Sequence, residues 1–450
     1  MITKLQISLY SLTFKLSFTS LNKYHQNTKH SYLSIRTNPN RVDWNNPPNK
    51  FKNYSKDYKR VQLLNENPNY NFLYLICGIS AKKTYPNAEY FLRVNPSAGA
   101  LYPNELYFQV RNTNGFEDGI YHLEVSSSSA VLLQKLEVNE GIENLLDLSY
   151  SVDGFIFFVS SLYFRSSWKY KNRAFRYCLL DAGHLIGSIE ASSYLFDKDF
   201  EIIYDFSKEK LNDFFSFDEK EFFTSIVLCG ETKVNDKKEN FTLDIPTLDG
   251  SSYEKNTISF FFKNEMVEDA YKDSLKIIDK KPQKNKAIFN FHKEKFQDTI
   301  FQRRSIREFT KQSISKVQFE AILKLLNEAV TSDCDEELDI YYVLNRVEGF
   351  ALGLYKNSEL IKNGDFSSKA GYLCLEQELG KDSAVTFYLA SKSKNYQEVY
   401  QKAGIIGHRL YLASNYLGIA CSGIGAYYDD EVCEFIGETS MILYSLAIGN

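Results

Sequence analysis

Four short stretches hold residues whose types and spacing suit chemistry. Arg303-Arg304-Ser305-Ile306-Arg307 gathers guanidinium groups and a hydroxyl just before a helical pattern. Guanidinium offers planar, bidentate hydrogen bonding, so the run suits a terminal phosphate. Pro96-Ser97-Ala98-Gly99 is a small-residue turn ahead of the strand-like run Glu105–Val110. Such a turn exposes backbone N–H groups with little side-chain bulk and lets a flat ligand approach closely. Cys421-Ser422-Gly423-Ile424-Gly425-Ala426 is a similar loop, without the strand–helix context and spacing of a dinucleotide fingerprint. Lys169-Tyr170 sets an amine beside a phenol. A desolvated lysine has a lowered pKa and can act as a base near neutral pH. The plain alternatives are a solvated basic patch, an ordinary turn before a strand, and an exposed lysine-rich loop.

The elements that must position these residues form an ordered repeat. Leu106-Tyr107-Phe108, Gly115-Phe116 and Gly119-Ile120-Tyr121 return at one constant offset as Ile340-Tyr341-Tyr342, Gly349-Phe350 and Gly353-Leu354-Tyr355. Ala182-Gly183 and Ala191-Ser192-Ser193-Tyr194-Leu195 return as Ala403-Gly404 and Ala413-Ser414-Asn415-Tyr416-Leu417. Strand-like endings, 225–230 and 444–449, close the two copies. Long-period self-similarity of this kind signals domain duplication. The arginine run and the Pro-Ser-Ala turn each occur once, in different copies. Strands are expected at 105–111 and 119–124, and a buried strand in the apolar run 154–160. Helices are expected at 70–78, 173–196 and 319–330, the last with apolar residues at helical spacing. Alternating helices and strands imply an α+β sheet with helices around it.

With 450 residues the chain can hold two or three cores. A net charge of −4 gives no argument for nucleic acid, and no apolar run reaches the roughly 18 residues of a spanning helix. Seven scattered cysteines without a C-x-x-C pair favour reduced thiols in a cytoplasmic protein. The six histidines are isolated, so no metal site is expected. The mildly apolar first twenty residues lack a cleavage pattern and are not read as a signal peptide. Residues 21–60, basic and proline-containing, read as a solvated extended arm or as a clamp over a peptide or another subunit. Residues 231–300, rich in lysine, aspartate and asparagine, read as a linker, apolar at 258–262 and 288–291, with one helix near 264–279.

Together, the arginine run and the Pro-Ser-Ala turn resemble the nitroreductase-like flavoproteins. These bind FMN at the seam between two copies of the fold, one element coming from each copy. The resemblance implies two tandem nitroreductase-like, FMN-dependent α+β domains that form an intramolecular pseudodimer with one complete site. The expected layout is an N-terminal arm (1–65), domain 1 (66–232), a linker (233–295) and domain 2 (296–450). Arg303, Arg304, Ser305 and Arg307 would hold the phosphate, and Pro96, Ser97, Ala98 and Gly99 the isoalloxazine. Ser422, Gly423, Ile424 and Gly425 would face the flavin N5 edge.

The stretch from Trp168 to Tyr177, followed by Leu180-Asp181-Ala182-Gly183-His184, carries the closest resemblance. It looks like the azoline dehydrogenases of thiazole/oxazole-modified peptide biosynthesis (SagB/ThcOx type). An adjacent Lys-Tyr pair is catalytic in that family, which maps onto Lys169 and Tyr170. The arm resembles the same family at 24–31 and at Asp43-Trp44. A peptide substrate, a cyclodehydratase partner and a homodimer are therefore expected. Two other functions compete: a general NAD(P)H-dependent nitro, quinone or flavin reductase, and a flavin-less docking scaffold.

Overall fold

The computed structural model describes residues 20–38, 42–85, 88–137, 140–146, 148–217, 220–233 and 263–450. The expectations for residues 1–19 and for the apolar run 258–262 fall outside these. The strands of the first half are β1 (Arg60–Gln62), β2 (Ile79–Tyr85), β3 (Ala88–Arg93), β4 (Asn104–Arg111), β5 (Gly119–Glu124), β6 (Ser129–Lys135), β7 (Ser151–Leu162), β8 (Glu201–Ile203) and β9 (Glu221–Lys233). Those of the second half are β10 (Asp339–Leu344), β11 (Gly353–Lys356), β12 (Glu359–Asn363), β13 (Val385–Ser391), β14 (Ala420–Ile424) and β15 (Met441–Gly449).

The two main sheets run β1-β6-β5-β4-β7-β9-β8 and β12-β11-β10-β13-β15-β14, while β2 and β3 form a separate hairpin. Without the added edge strand β1, the two orders correspond strand for strand. The repeat extends to side chains. Phe108 of β4 stacks on Tyr121 of β5 at 5.3 Å, and Tyr342 of β10 stacks on Tyr355 of β11 at 5.3 Å.

The apolar run in β7 is continuous because both faces of the sheet are covered. Phe155, Phe157 and Val159 enter the large core shared by both copies, and Ile156 and Phe158 enter an outer core. In β13, Phe387 and Leu389 face the shared core while Tyr388 and Ala390 face an outer one. Two long helices, Ala174–Leu195 and Tyr396–Tyr416, cross in the middle. They are buried nearly all round, as a helix enclosed on every side must be. Gly183 and Gly404 make the crossing possible: a Cβ on Gly183 would lie 2.7 Å from the Gly404 Cα. Arg409 locks the pair with two bonds to the Glu190 carboxylate, at 2.9 and 2.6 Å.

The helices expected at 70–78, 173–196 and 319–330 are Pro68–Cys77, Ala174–Leu195 and Lys316–Leu326. The last begins one turn earlier than its apolar spacing suggests, at a capping box made by Ser315 and Gln318. The linker region holds the helix Glu265–Asp273 and the start of Lys293–Gln302.

The basic arm is not a solvated segment. Tyr24, Lys52 and Tyr54 are buried, and the arm lies against its own chain. Arg173 and Arg176, at the start of the first central helix, donate to Asp429 of the second copy at 2.9 and 2.7 Å. The same two arginines also donate to the carbonyls of Thr28 and His25. Burial alone would raise the Asp429 carboxyl, but the two guanidinium groups outweigh it and hold it well below the usual carboxylate range.

Candidate functional site at the seam

Residues distant in sequence meet where the two copies touch. The turn 96–99 leaves β3 and enters a short 3-10 turn, Ala98–Ala100, with Gly99 at φ +63°. A side chain there would be strained, and it would also collide: a Cβ on Gly99 would stand 2.9 Å from the Tyr170 hydroxyl and 3.1 Å from Lys169 Nζ. The turn and the Lys-Tyr pair are therefore one surface. Lys169 and Tyr170 end the helix Phe164–Tyr170, so neighbouring side chains reach one place.

The turn is held from below. Asp181, on the first central helix, accepts from the Ser97 hydroxyl at 2.6 Å and from the Ala98 N–H at 3.1 Å. Ser97 in turn accepts from the Tyr102 N–H at 2.8 Å. Burial pushes the Asp181 carboxyl up to about 7, against the pull of these donors.

The second copy closes the other side. Arg303 follows the helix Lys293–Gln302 and reaches across the seam, where Nε donates to the Val94 carbonyl at 2.7 Å. Its Nη1 is buried without a partner. Arg304 turns away and donates to the Ser80 carbonyl at 2.7 Å. Ser305 and Tyr411 share a hydrogen bond of 2.8 Å, and Tyr411 also accepts from the Gly423 N–H at 2.6 Å. Arg307 donates to the Ser422 hydroxyl at 3.2 Å. The segment is fixed to β14 by the Ile306 N–H on the Cys421 carbonyl, at 3.1 Å.

Gly425 closes the ring of contacts. Its carbonyl accepts from Tyr177 at 2.9 Å, and Tyr177 stacks on Tyr170 at 4.0 Å. Ile424 is different, because its side chain lies in the outer core of the second copy. Only its backbone belongs to the loop, as alternation along β14 requires.

The electrostatics fit acid–base work. Burial, and then the positive Arg307 nearby, lower the Lys169 pKa. Burial, followed by the neighbouring Tyr177 hydroxyl, raises the Tyr170 phenol well above its ordinary value, so it stays a donor. His184 and His408 are buried nearby and are held below the usual imidazole range by burial. His184 shares a 3.0 Å hydrogen bond with the Tyr444 hydroxyl.

Asp181, Tyr177, Tyr411 and Tyr444 had no assigned role in the sequence. Of these, Asp181 carried a signal, as an acid between apolar and small residues in Leu179-Leu180-Asp181-Ala182-Gly183. Among the described residues no cluster of His, Cys, Asp and Glu could hold a metal, and no helix is long and apolar enough to cross a membrane.

The family model of the nitroreductase family matches residues 300–450. A protein of Methanocaldococcus jannaschii that carries the provisional name of nitroreductase is 30% identical over 96 residues, which are 21% of this chain and 48% of that protein. The chain thus spans about half the length of the curated relative it matches. A crystal structure from Anabaena variabilis, also provisionally titled a nitroreductase, matches 96% of this chain and 99% of its own, at 24% identity and a TM-score of 0.78. One chain of the E. coli microcin synthetase complex matches 44% of this chain and 73% of its own, at 14% identity and a TM-score of 0.30. The full-length likeness to the Anabaena structure establishes the fold: two nitroreductase-like α+β domains in one chain, packed as an internal pair.

Proposed function

We propose that this chain is an FMN-dependent oxidoreductase that dehydrogenates azoline rings in a peptide. The observation that carries the reading is the convergence at Gly99: the Pro-Ser-Ala turn, the Lys169-Tyr170 pair and the loop beside Arg307 meet at one seam, although they lie far apart in sequence.

The residues suit FMN. Buried Arg303 Nη1 is a cationic donor without a partner, and Arg307 and Ser305 stand beside it in sequence. A buried, unpaired guanidinium nitrogen is costly, and a phosphate or ring oxygen would satisfy it. Gly99, with no side chain of its own, lets the turn lie directly against Lys169 and Tyr170, so its backbone and the Lys-Tyr pair can face one ligand. Arg303, Ser305 and Arg307 would hold the cofactor from the second copy, and the backbone of 97–99 and 423–425 would border its ring. Arg304, engaged with Ser80, has no part in this. When bound, FMN supplies a two-electron acceptor.

Lys169 would take the proton from the ring carbon next to the carbonyl. Its lowered pKa makes the neutral amine more accessible at neutral pH. Tyr170, kept protonated, would donate a hydrogen bond to the same ring. A peptide substrate, a cyclodehydratase that forms the azoline, and a homodimer built through a surface other than the seam belong to the same proposal, as does a cytoplasmic location.

The test begins with the absorbance of the purified protein. Lys169→Ala and Tyr170→Phe are expected to stay yellow while oxidation of a thiazoline peptide slows about 10²–10⁴-fold. Colourless variants would make the pair a cofactor support. Yellow variants with unchanged reduction of nitro compounds by NADPH, and no thiazoline oxidation by the wild type, would establish the general reductase instead.

A further inference from the structure

The chain has only two tryptophans, and they touch each other beside Lys169. The rings of Trp44 and Trp168 meet edge to face at 5.4 Å and 88°. The Lys169 ammonium lies 5.8 Å from the centre of the Trp44 ring. Trp44 comes from the arm and Trp168 from the helix that carries the Lys-Tyr pair, so two separate segments supply one aromatic corner.

Trp44 is nevertheless 65% exposed. A large aromatic ring held in water on a loose segment would be unremarkable, but this segment is fixed. The Asp43 carbonyl accepts from Trp168 Nε1 at 3.2 Å, and the Asp43 carboxylate accepts from the Asn45 N–H at 3.1 Å and from Asn46 Nδ2 at 2.8 Å. Six residues on, Arg165 donates to the Asn49 carbonyl at 2.9 Å, and Arg93 to the Lys50 carbonyl at 2.7 Å. Lys52 then anchors the segment in the buried Tyr107–Glu221 cluster. The segment is thus tied down at Asp43 and again from Asn49 to Lys52, and among the described residues the Trp44 ring stays largely exposed.

Resting on the reading above, we infer that Trp44 and Trp168 form the binding wall for the five-membered ring of the peptide substrate, over Lys169. The wall suits that ring in three ways. A flat, polarisable ring gains from an offset or edge-on aromatic partner beyond the area it buries. A rigid aromatic anchor loses little conformational entropy on binding. The position next to Lys169 Nζ brings the ring carbon to the base, whereas a peptide side chain without a ring would leave the corner wet. Trp44 is thus a substrate-binding residue contributed by the arm, which gives the arm a duty beyond tying the two copies together.

The two tryptophans make the test unusually selective, because all tryptophan emission of the protein arises at this corner. The probe is a synthetic pentapeptide with a central thiazole, compared with the same peptide carrying unmodified cysteine. Titrated into the flavin-loaded protein, the thiazole peptide is expected to change the emission saturably, and the cysteine peptide to do so only at much higher concentration. In Trp168→Phe the change should persist, reported by Trp44 alone. Trp44→Ala should weaken thiazole binding and raise KM for the thiazoline peptide on the order of tenfold, with kcat and bound flavin kept. Trp44→Phe should recover most of the loss, which a mere collapse of the arm would not allow.

Unchanged emission at peptide concentrations that saturate turnover would overturn the inference. So would a wild-type KM in Trp44→Ala, or a response to a nicotinamide nucleotide and not to the thiazole peptide. Saturable thiazole binding without any oxidation would leave the wall standing and would refute the proposed activity alone.

Discussion

Replacing Asp181 by Asn isolates a strain that the structure places directly under the turn. Asp181 is buried on the first central helix, and burial lifts its carboxyl from 3.8 to about 7. A carboxyl with a raised folded-state pKa holds its proton in the folded protein over a range where the unfolded chain has already released it. The folded state then binds more protons between about pH 4 and pH 7, so stability falls as pH rises through that window. With about 1.4 kcal/mol per pKa unit, the cost of the charged form approaches about 4 kcal/mol above pH 7. Asn is neutral throughout, but its amide can accept from only part of the Ser97 and Ala98 donor set, a loss of about 1 kcal/mol.

The Asn variant should therefore be more stable than the wild type by about 3 kcal/mol at pH 8, and slightly less stable near pH 4. Between pH 5 and pH 7 the difference should change by about 1.4 kcal/mol per pH unit. Urea unfolding of both proteins in the same cofactor state, at intervals of half a pH unit, measures this directly. Parallel profiles from pH 5 to pH 8 would refute the reasoning, because they would mean that Asp181 carries the same charge in the folded and unfolded states.

Four further expectations concern cofactor and seam. Arg303→Ala and Ser305→Ala should each weaken FMN binding by roughly 1.5–3 kcal/mol, ten- to a hundredfold, in equilibrium dialysis. Arg304→Ala should leave the affinity within about twofold, since its guanidinium is spent on Ser80 and neighbouring carbonyls. One FMN per chain is expected from absorbance against protein mass, and two would contradict the pairing of one arginine run with one turn. Gly183→Val should force the two central helices apart at a cost of about 1–3 kcal/mol or more, lowering the melting temperature and the flavin content together.

How much of this was legible in the letters follows from which signals a sequence carries. The repeat was legible because buried strands and small-residue helices constrain residue type at every position. The arginine run and the Pro-Ser-Ala turn were legible because their chemistry is local. That the Ile424 side chain turns into the outer core was not legible, since the loop was read as a block while the strand alternates its faces. The arm was read chiefly as solvated because its composition is basic. Beside side-chain anchors such as Lys52 on Glu221, however, it is held by the backbone carbonyls of His25, Thr28, Asp43, Asn49 and Lys50, which receive donors from distant side chains. A carbonyl is present at every residue, so such anchors leave no trace in composition or spacing.

The asymmetry of the seam has the same physical root as its single site. In two identical subunits every seam residue appears twice, and any change is made on both sides of the axis at once. In one chain the partners are free to differ. Gly183 and Gly404 still face each other as a matched pair. One turn further along, a Cβ on Gly187 would strike His408, and one on Gly407 would approach His184, so each helix offers a glycine to the other's histidine. The histidines themselves have diverged in partner: His184 reaches Tyr444, and His408 reaches Ser188 at 3.3 Å. The close crossing is kept because backbone contact tolerates only glycine on both sides. The groups around it have separated into one half that supplies the turn, Asp181 and the Lys-Tyr pair, and another that supplies the arginines and the 422–425 loop.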